Sequence, residues 1–366
     1  MRIRAAVVRE PGGSFVIEDV ELDAPRPDEV LIEFAATGVC HTDLSVRDGL
    51  IPVPLPAVLG HEGAGVVREI GAGVTEFEVG DHVVVSVPHC GQCRYCASGE
   101  PTYCVDAPRL SMSGGRGDGS PTITSVDGER ISASFMGQSS MATHSVVLAR
   151  NAIRVPKDIP LTRLAPLGCG VLTGAGTVIN ELRPQPGQSL AVFGCGGVGL
   201  SAVMAAAALD QPLTVVAIDT NPKRLALAAE LGATATVCVG DGDVAAAVRE
   251  IVPDGVDASI EATGLPPVAE TAVGVLSSRG RCALVGAAAF GAKFSVDWWT
   301  LATGRSVTGV IMGSSMPRQT IVQLIDWHRD GRFPFDRLCT EYPFTEIQAA
   351  ISDMEAGDVI KPLLVH

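Results

Sequence analysis

Aromatic side chains are scarce in this 366-residue chain: Phe, Trp and Tyr make up 4% of it, whereas hydrophobic residues reach 46% and glycines number 41. An interior so short of rings rests on Val, Ala, Ile and Leu, which favours an α/β architecture. Positive charge is also in short supply, with 27 Lys+Arg against 41 Asp+Glu and a formal net charge of −14. Grip on nucleic-acid phosphates comes from clustered cations, so a nucleic-acid partner is excluded and the charge mainly promotes solubility. Long apolar runs are missing too; no stretch approaches the ~18 residues of a membrane-spanning helix. The chain has no internal repeat and no low-complexity tail, and no apolar leader with a small-residue cleavage site follows Met1. A cytoplasmic location, where thiols stay reduced, is therefore expected.

What is present is organised in two parts, as a chain of this length allows. Residues 1–150 read as short strands separated by Gly and Pro: Arg2 to Val8, Glu29 to Thr37, Ala64 to Ile70, His82 to Val87 and Ala142 to Leu148. The polar stretch Ser111 to Asp127 reads as an exposed lobe. After Pro184 and Gly187, apolar strands alternate with helical segments. The strands are Ser189 to Phe193, Thr214 to Ile218, Thr236 to Val239, Val256 to Ile260, Arg281 to Val285 and Ser306 to Ile311. The helices between them are Gly199 to Leu209, Pro222 to Leu231, Asp243 to Ile251 and Pro267 to Leu276. Six strands joined this way predict a doubly wound parallel sheet. Asn221, Pro222 and Gly232 supply the cap, first turn and stop of one helix. The resulting division is 1–170, 171–312 and a return to the first domain over 313–366.

Four of the ten cysteines crowd one short segment: Cys90, Cys93, Cys96 and Cys104. Four thiolates can surround one ion tetrahedrally, and Zn²⁺ is favoured there over an iron–sulfur cluster or disulfides. A second pattern, Gly194, Gly196, Gly197, Val198 and Gly199, lies between a predicted strand and helix. Missing side chains there let the backbone approach a pyrophosphate at the helix N-terminus. Twenty residues past Gly199 stands Asp219. Its carboxylate suits the ribose hydroxyls of NAD and would repel the extra phosphate of NADP, while Lys223 and Arg224 are near enough to touch the same ribose. Cys40, His61 and Cys169 are far apart in sequence, and each alone reads as readily as a buried structural residue. Their settings differ from that of ordinary core positions: Cys40 precedes His41, Thr42 and Asp43; His61 and Glu62 lie between Gly60 and Gly63; Cys169 lies between Gly168 and Gly170.

Taken in order, these pieces and Lys361 resemble the medium-chain zinc-dependent alcohol dehydrogenase family over essentially the whole chain. Leu167 to Gly176 and Gly331 to Asp336 are similar to its aryl-alcohol (benzyl-alcohol) branch. The resemblance implies an N-terminal GroES-like β-barrel catalytic domain followed by a Rossmann domain. It also implies zinc at two sites: a catalytic one on Cys40, His61 and Cys169, and a structural one on the four-cysteine cluster. Two thiolates and a neutral imidazole leave a fourth position for substrate, as a catalytic zinc requires. Glu62 is expected beside the metal and Asp43 as the residue that orients His61.

By the same resemblance, Thr42 takes the substrate's proton, His41 and Lys361 contact the cofactor pyrophosphate, Thr173 lies beside the nicotinamide, and Ser86 and Ile51 line the substrate pocket. Ser45 occupies the place where many members carry the histidine that ends the proton relay. The implied reaction is NAD-linked oxidation of primary aryl or allylic alcohols to aldehydes by a homo-oligomer, a dimer or tetramer, with Trp298 and Trp299 near a subunit interface. Two alternatives are a glutathione-dependent formaldehyde dehydrogenase and a zinc-free nucleotide-binding relative. Of the remaining cysteines, Cys238, Cys282 and Cys339 read as packing residues, and Cys195, inside the glycine loop, as the one most open to thiol reagents.

Overall fold

The computed structural model describes residues 1–240 and 242–366. It divides into two compact units, one formed by Met1–Gly170, Met316–Val322 and Asp336–His366, the other by Val171–Ser315 and Gln323–Phe335. The return to the first unit is thus later than residue 313 and is interrupted. Residues 323–335 group with the second unit, to which Arg332 Nη1 donates at the Ala208 carbonyl at 3.1 Å; within the segment Trp327 and Phe333 pack ring against ring.

In the first unit, two largely antiparallel sheets enclose the core, as expected of short strands with one apolar face. The five predicted strands are present, together with Val16–Leu22, Ala57–Val58, Ile123–Ser125, Arg130–Ile131 and Ala152–Arg154. Glu29–Gly38 is the central strand of the larger sheet and is hydrogen-bonded to Gly63–Ile70, His144–Leu148 and the C-terminal strand Lys361–Val365. The last pairing sets Leu363 opposite Gly38, which brings the end of the chain to the residues just before Cys40.

The exposed lobe expected over Ser111 to Asp127 is a correction. Its middle turns inward: Ile123 is buried in a strand on Val16–Leu22, and the guanidinium of Arg116 is buried as well. Arg116 tolerates this because Nε and Nη2 bond both Glu29 carboxylate oxygens at 2.8 and 3.0 Å. Its remaining donors meet Asp23 and two backbone carbonyls. A buried charge is tolerated when it is both paired and hydrogen-bonded.

The second unit carries six parallel strands which, counted within the sheet, run in the order 3-2-1-4-5-6. This is the doubly wound arrangement predicted. Its first strand, Ser189–Phe193, is buried throughout and leads into the helix Gly197–Ala208. Asn221 caps the helix Pro222–Glu230 by accepting from the amide of Lys223 at 2.9 Å. The predicted helix Pro267 to Leu276 ends earlier, at Gly274, because Leu276 already opens the fifth strand opposite Val256.

Candidate metal centres and nucleotide loop

Cys40 ends the loop after Glu29–Gly38 and is the N-cap of the helix His41–Arg47. Asp43, in the first turn of that helix and fully buried, accepts the Cys40 amide on Oδ2 at 3.0 Å. Its Oδ1 receives the Gly60 amide at 3.0 Å and faces His61 Nδ1 at 2.9 Å. A carboxylate can only accept, so Nδ1 donates to Asp43 and Nε2 is left as the nitrogen available to a metal, carrying the lone pair in the neutral ring. That Nε2 is buried and has no hydrogen-bond partner. Cys169, just past the turn Ala165–Gly168, completes the set: one ligand atom each from Cys40, His61, Glu62 and Cys169 lie within 4.8 Å of one another. An orphaned buried imidazole nitrogen among two thiols fits Zn²⁺ closely.

The Cys40 thiol is held well below its usual range, first by a hydrogen bond from Cys169 and then by the cations His61 and Lys361, which outweigh burial. Cys169, donor in that bond, is pushed correspondingly up. Burial opposes charge on His61, but Asp43 and Cys40 more than compensate and raise its pKa, so a metal on Nε2 takes the place of a proton.

The structure also shows where Glu62 and Lys361 lie. Glu62 has no exposed surface and Lys361 only 5%. Lys361 Nζ bonds Glu62 Oε1 at 2.8 Å and the Val39 carbonyl at 3.1 Å. The same Oε1 accepts the Gly170 amide at 3.1 Å, while Oε2 is buried without a partner. Burial raises the Glu62 pKa, with Lys361 pulling the other way. Lys361, for which the family resemblance implied a pyrophosphate contact, has two of its three ammonium donors engaged inside the first unit. His41 by contrast is exposed. Thr42 Oγ1 lies 3.8 Å from Cys40 Sγ. Ser86 is buried, and its hydroxyl donates to the Gly168 carbonyl at 3.0 Å, one residue before Cys169. Ile51 packs, half-buried, against the core around Leu59 and Phe135.

Gln138 was missed in the sequence. Its amide accepts from Gly63 N at 3.0 Å and donates to His61 O at 2.8 Å, so it fixes the backbone on both sides of Glu62. A glutamine between Phe135 and Met141 carries no motif; the local signal is a chain of left-handed residues, Ser134, Met136, Gly137 and Ser139, a costly geometry that surrounds functional sites.

The four-cysteine cluster forms a second group, with Cys90, Cys93, Cys96 and Cys104 sulfurs within 4.8 Å of one another. Backbone amides point at the sulfurs, Cys93 N to Cys90 at 3.3 Å and Cys90 N to Cys104 at 3.2 Å, as they do toward thiolates. Hydrogen bonds from the backbone draw the Cys93 thiol down to about 6.

In the second unit, Gly194 has φ +92° and Gly199 sits against its carbonyl so closely that any side chain would collide. The turn leads into the helix Gly197–Ala208, whose first amides are free for a phosphate. Asp219 ends the second strand, with Oδ2 on the Cys195 amide at 2.6 Å and Oδ1 on that of Asn221 at 2.8 Å. Arg224 Nε is buried and unpartnered nearby on the following helix. Thr173 Oγ1 meets Met312 Sδ at 3.6 Å. Cys195, expected to be open to reagents, is fully buried, and burial together with Asp219 pushes its thiol up to about 12.

The alcohol dehydrogenase GroES-like domain matches residues 26–157, and the zinc-binding dehydrogenase family matches residues 197–329. Geraniol dehydrogenase of Castellaniella defragrans is 44% identical over 366 residues, covering 99% of this chain and 97% of that relative. The chain belongs to the zinc-dependent medium-chain alcohol dehydrogenases. It is an NAD-dependent oxidoreductase of that family, and a purely structural nucleotide-binding role is set aside. S-(hydroxymethyl)glutathione dehydrogenase of Paracoccus denitrificans is 33% identical over the full length of both chains. The crystal structure of benzyl alcohol dehydrogenase from Acinetobacter calcoaceticus superposes on this medium-chain alcohol dehydrogenase with TM-score 0.96 at 40% identity, over 100% of this chain and 99% of that one.

Proposed function

We propose that this alcohol dehydrogenase oxidises primary aryl or allylic alcohols to aldehydes with NAD. The observation that carries the catalytic assignment is the buried, partnerless His61 Nε2 facing the Cys40 and Cys169 thiols. When bound, zinc acidifies an alcohol hydroxyl and the nicotinamide accepts hydride from the adjoining carbon. Cys40, His61 and Cys169 hold the metal, and Asp43 keeps the His61 proton on Nδ1 so that Nε2 stays a ligand. Thr42 receives the alcohol's proton, and Ser45, one turn on in the same helix, passes it to water. Asp219 engages the adenosine ribose and disfavours a 2′-phosphate by charge repulsion.

The substrate class draws support from the relatives' names, one a geraniol and one a benzyl alcohol dehydrogenase, and from the small Ser86 at the pocket position. Comparing kcat/KM across ethanol, benzyl, cinnamyl and geranyl alcohols, with NAD and NADP, tests it. Turnover of ethanol equal to that of the larger alcohols defeats the substrate class. The 33% identical relative keeps S-hydroxymethylglutathione as the second substrate to assay. A homo-oligomer is the proposed assembly: Trp298, Trp299 and Phe290 are 80%, 75% and 90% exposed, and Ser306–Gly309 is an edge strand of its sheet. Among the described residues no helix is long and apolar enough to cross a membrane. A cytoplasmic location is proposed from the ten free cysteines.

A further inference from the structure

Each of the three metal-binding segments contributes one neighbour to a single buried ion pair. Val39 precedes Cys40, and its carbonyl accepts from Lys361 Nζ at 3.1 Å. Glu62 follows His61, and its Oε1 accepts from the same Nζ at 2.8 Å. Gly170 follows Cys169, and its amide donates to that same Oε1 at 3.1 Å. The pair is placed by the C-terminal strand, where Lys361 stands two residues before Leu363, the partner of Gly38. Segments that are 21 and 108 residues apart in sequence (40 to 61, 61 to 169) are thereby tied through one nitrogen and one oxygen.

We infer that Lys361 is a positioning residue for the catalytic metal: with Glu62 it clamps the backbones carrying Cys40, His61 and Cys169 into ligating register. The inference rests on reading those three residues as ligands of one metal. The clamp has a second effect. Glu62 Oε2 is buried without a partner, and one oxygen of this carboxylate belongs to the same 4.8 Å group as the ligand atoms; Lys361 holds Oε1 and so fixes the carboxylate in place. Removing the ammonium frees the carboxylate to swing and leaves a buried charge uncompensated. Metal retention suffers by the roughly 10- to 100-fold typical of groups that orient ligands.

The experiment measures loss of zinc to a chelator from the holoenzyme, and the visible spectrum after cobalt replaces the catalytic zinc, in Lys361→Met, Lys361→Arg and the double variant Glu62→Gln/Lys361→Met. Lys361→Met is expected to lose one of two metals at least about tenfold faster, with a shifted cobalt band. Lys361→Arg keeps the charge and is expected to restore most of the retention. The double variant, whose amide still accepts from Gly170, retains metal better than Lys361→Met. If Lys361→Met misfolds, the arginine variant and Glu62→Gln alone carry the test through the same two readouts. Native metal-loss kinetics and cobalt spectrum, together with a tenfold weaker NADH affinity, would overturn the inference and make Lys361 a cofactor contact. If the native enzyme holds only about one zinc, unchanged in Cys169→Ala, the ligand reading itself fails, a result distinct from the first.

Discussion

Asp43 Oδ1 lies 2.9 Å from His61 Nδ1, and the same carboxylate holds the amides of Cys40 and Gly60. One buried side chain therefore sets both the tautomer of one ligand and the position of another. Replacing it by Asn keeps the size and one acceptor but removes the charge. Asp43→Asn is expected to weaken zinc binding about 10- to 100-fold with the fold intact. Zinc content after dialysis against graded chelator, with circular dichroism as control, checks this; native retention would mean that the carboxylate is incidental.

The division between the two metal groups gives a stoichiometric prediction. The native chain carries about two zinc, Cys169→Ala about one, and that variant is inactive but folded. Cys93→Ala also loses one, and its melting temperature falls before its activity does, because four sulfurs fill every position around that ion and leave none for substrate. A folded, stable Cys93→Ala with no turnover would reverse the roles. Metal analysis with parallel thermal melts reads both.

Cys195 is expected to resist thiol reagents whether or not NAD is present. A thiol titrating at about 12 is protonated throughout the pH 7–9 range used for labelling, and the side chain has no exposed surface. Peptide mapping after alkylation should find it modified only on unfolding. Fast labelling of the native protein at Cys195 would contradict the buried placement.

The elements legible in the sequence were those whose signal is local. The Asn221 cap and the six-strand alternation can be read within a window of a dozen residues, and Asp219 follows Gly199 by a fixed interval. The residues of the two candidate metal groups could be read because each sits in its own short motif. Arg116 and Glu29 could not, since an arginine in a Gly/Ser-rich stretch looks solvated and its partner lies 87 residues away. Lys361 and Glu62 are 299 residues apart and meet only because the C-terminal strand pairs with Glu29–Gly38. Charge burial of this kind is decided by sheet pairing, on which composition and periodicity are silent.

The proposed role of Asp219 in cofactor choice can be separated from its structural bonds. Asp219→Asn preserves an oxygen for the Cys195 or Asn221 amide while cancelling the charge. The kcat/KM ratio of NAD to NADP is expected to fall by at least about tenfold, equivalent to about 1.4 kcal/mol. An unchanged ratio would place discrimination elsewhere on the second unit.

The Arg116–Glu29 pair makes a stability prediction independent of catalysis. Its side chains are 5% and 6% exposed, so Arg116→Met leaves the Glu29 carboxylate buried with its cation gone, at a cost of about 3–5 kcal/mol. The double change Arg116→Met/Glu29→Gln removes the stranded charge and is expected to recover part of that loss. Equilibrium denaturation of the two variants separates charge burial from lost packing: if both are equally destabilised, the cost is packing around the turn at Arg116. Recovery in the double variant would show that the polar stretch between Ser111 and Asp127 folds inward because its one buried cation has an answering carboxylate.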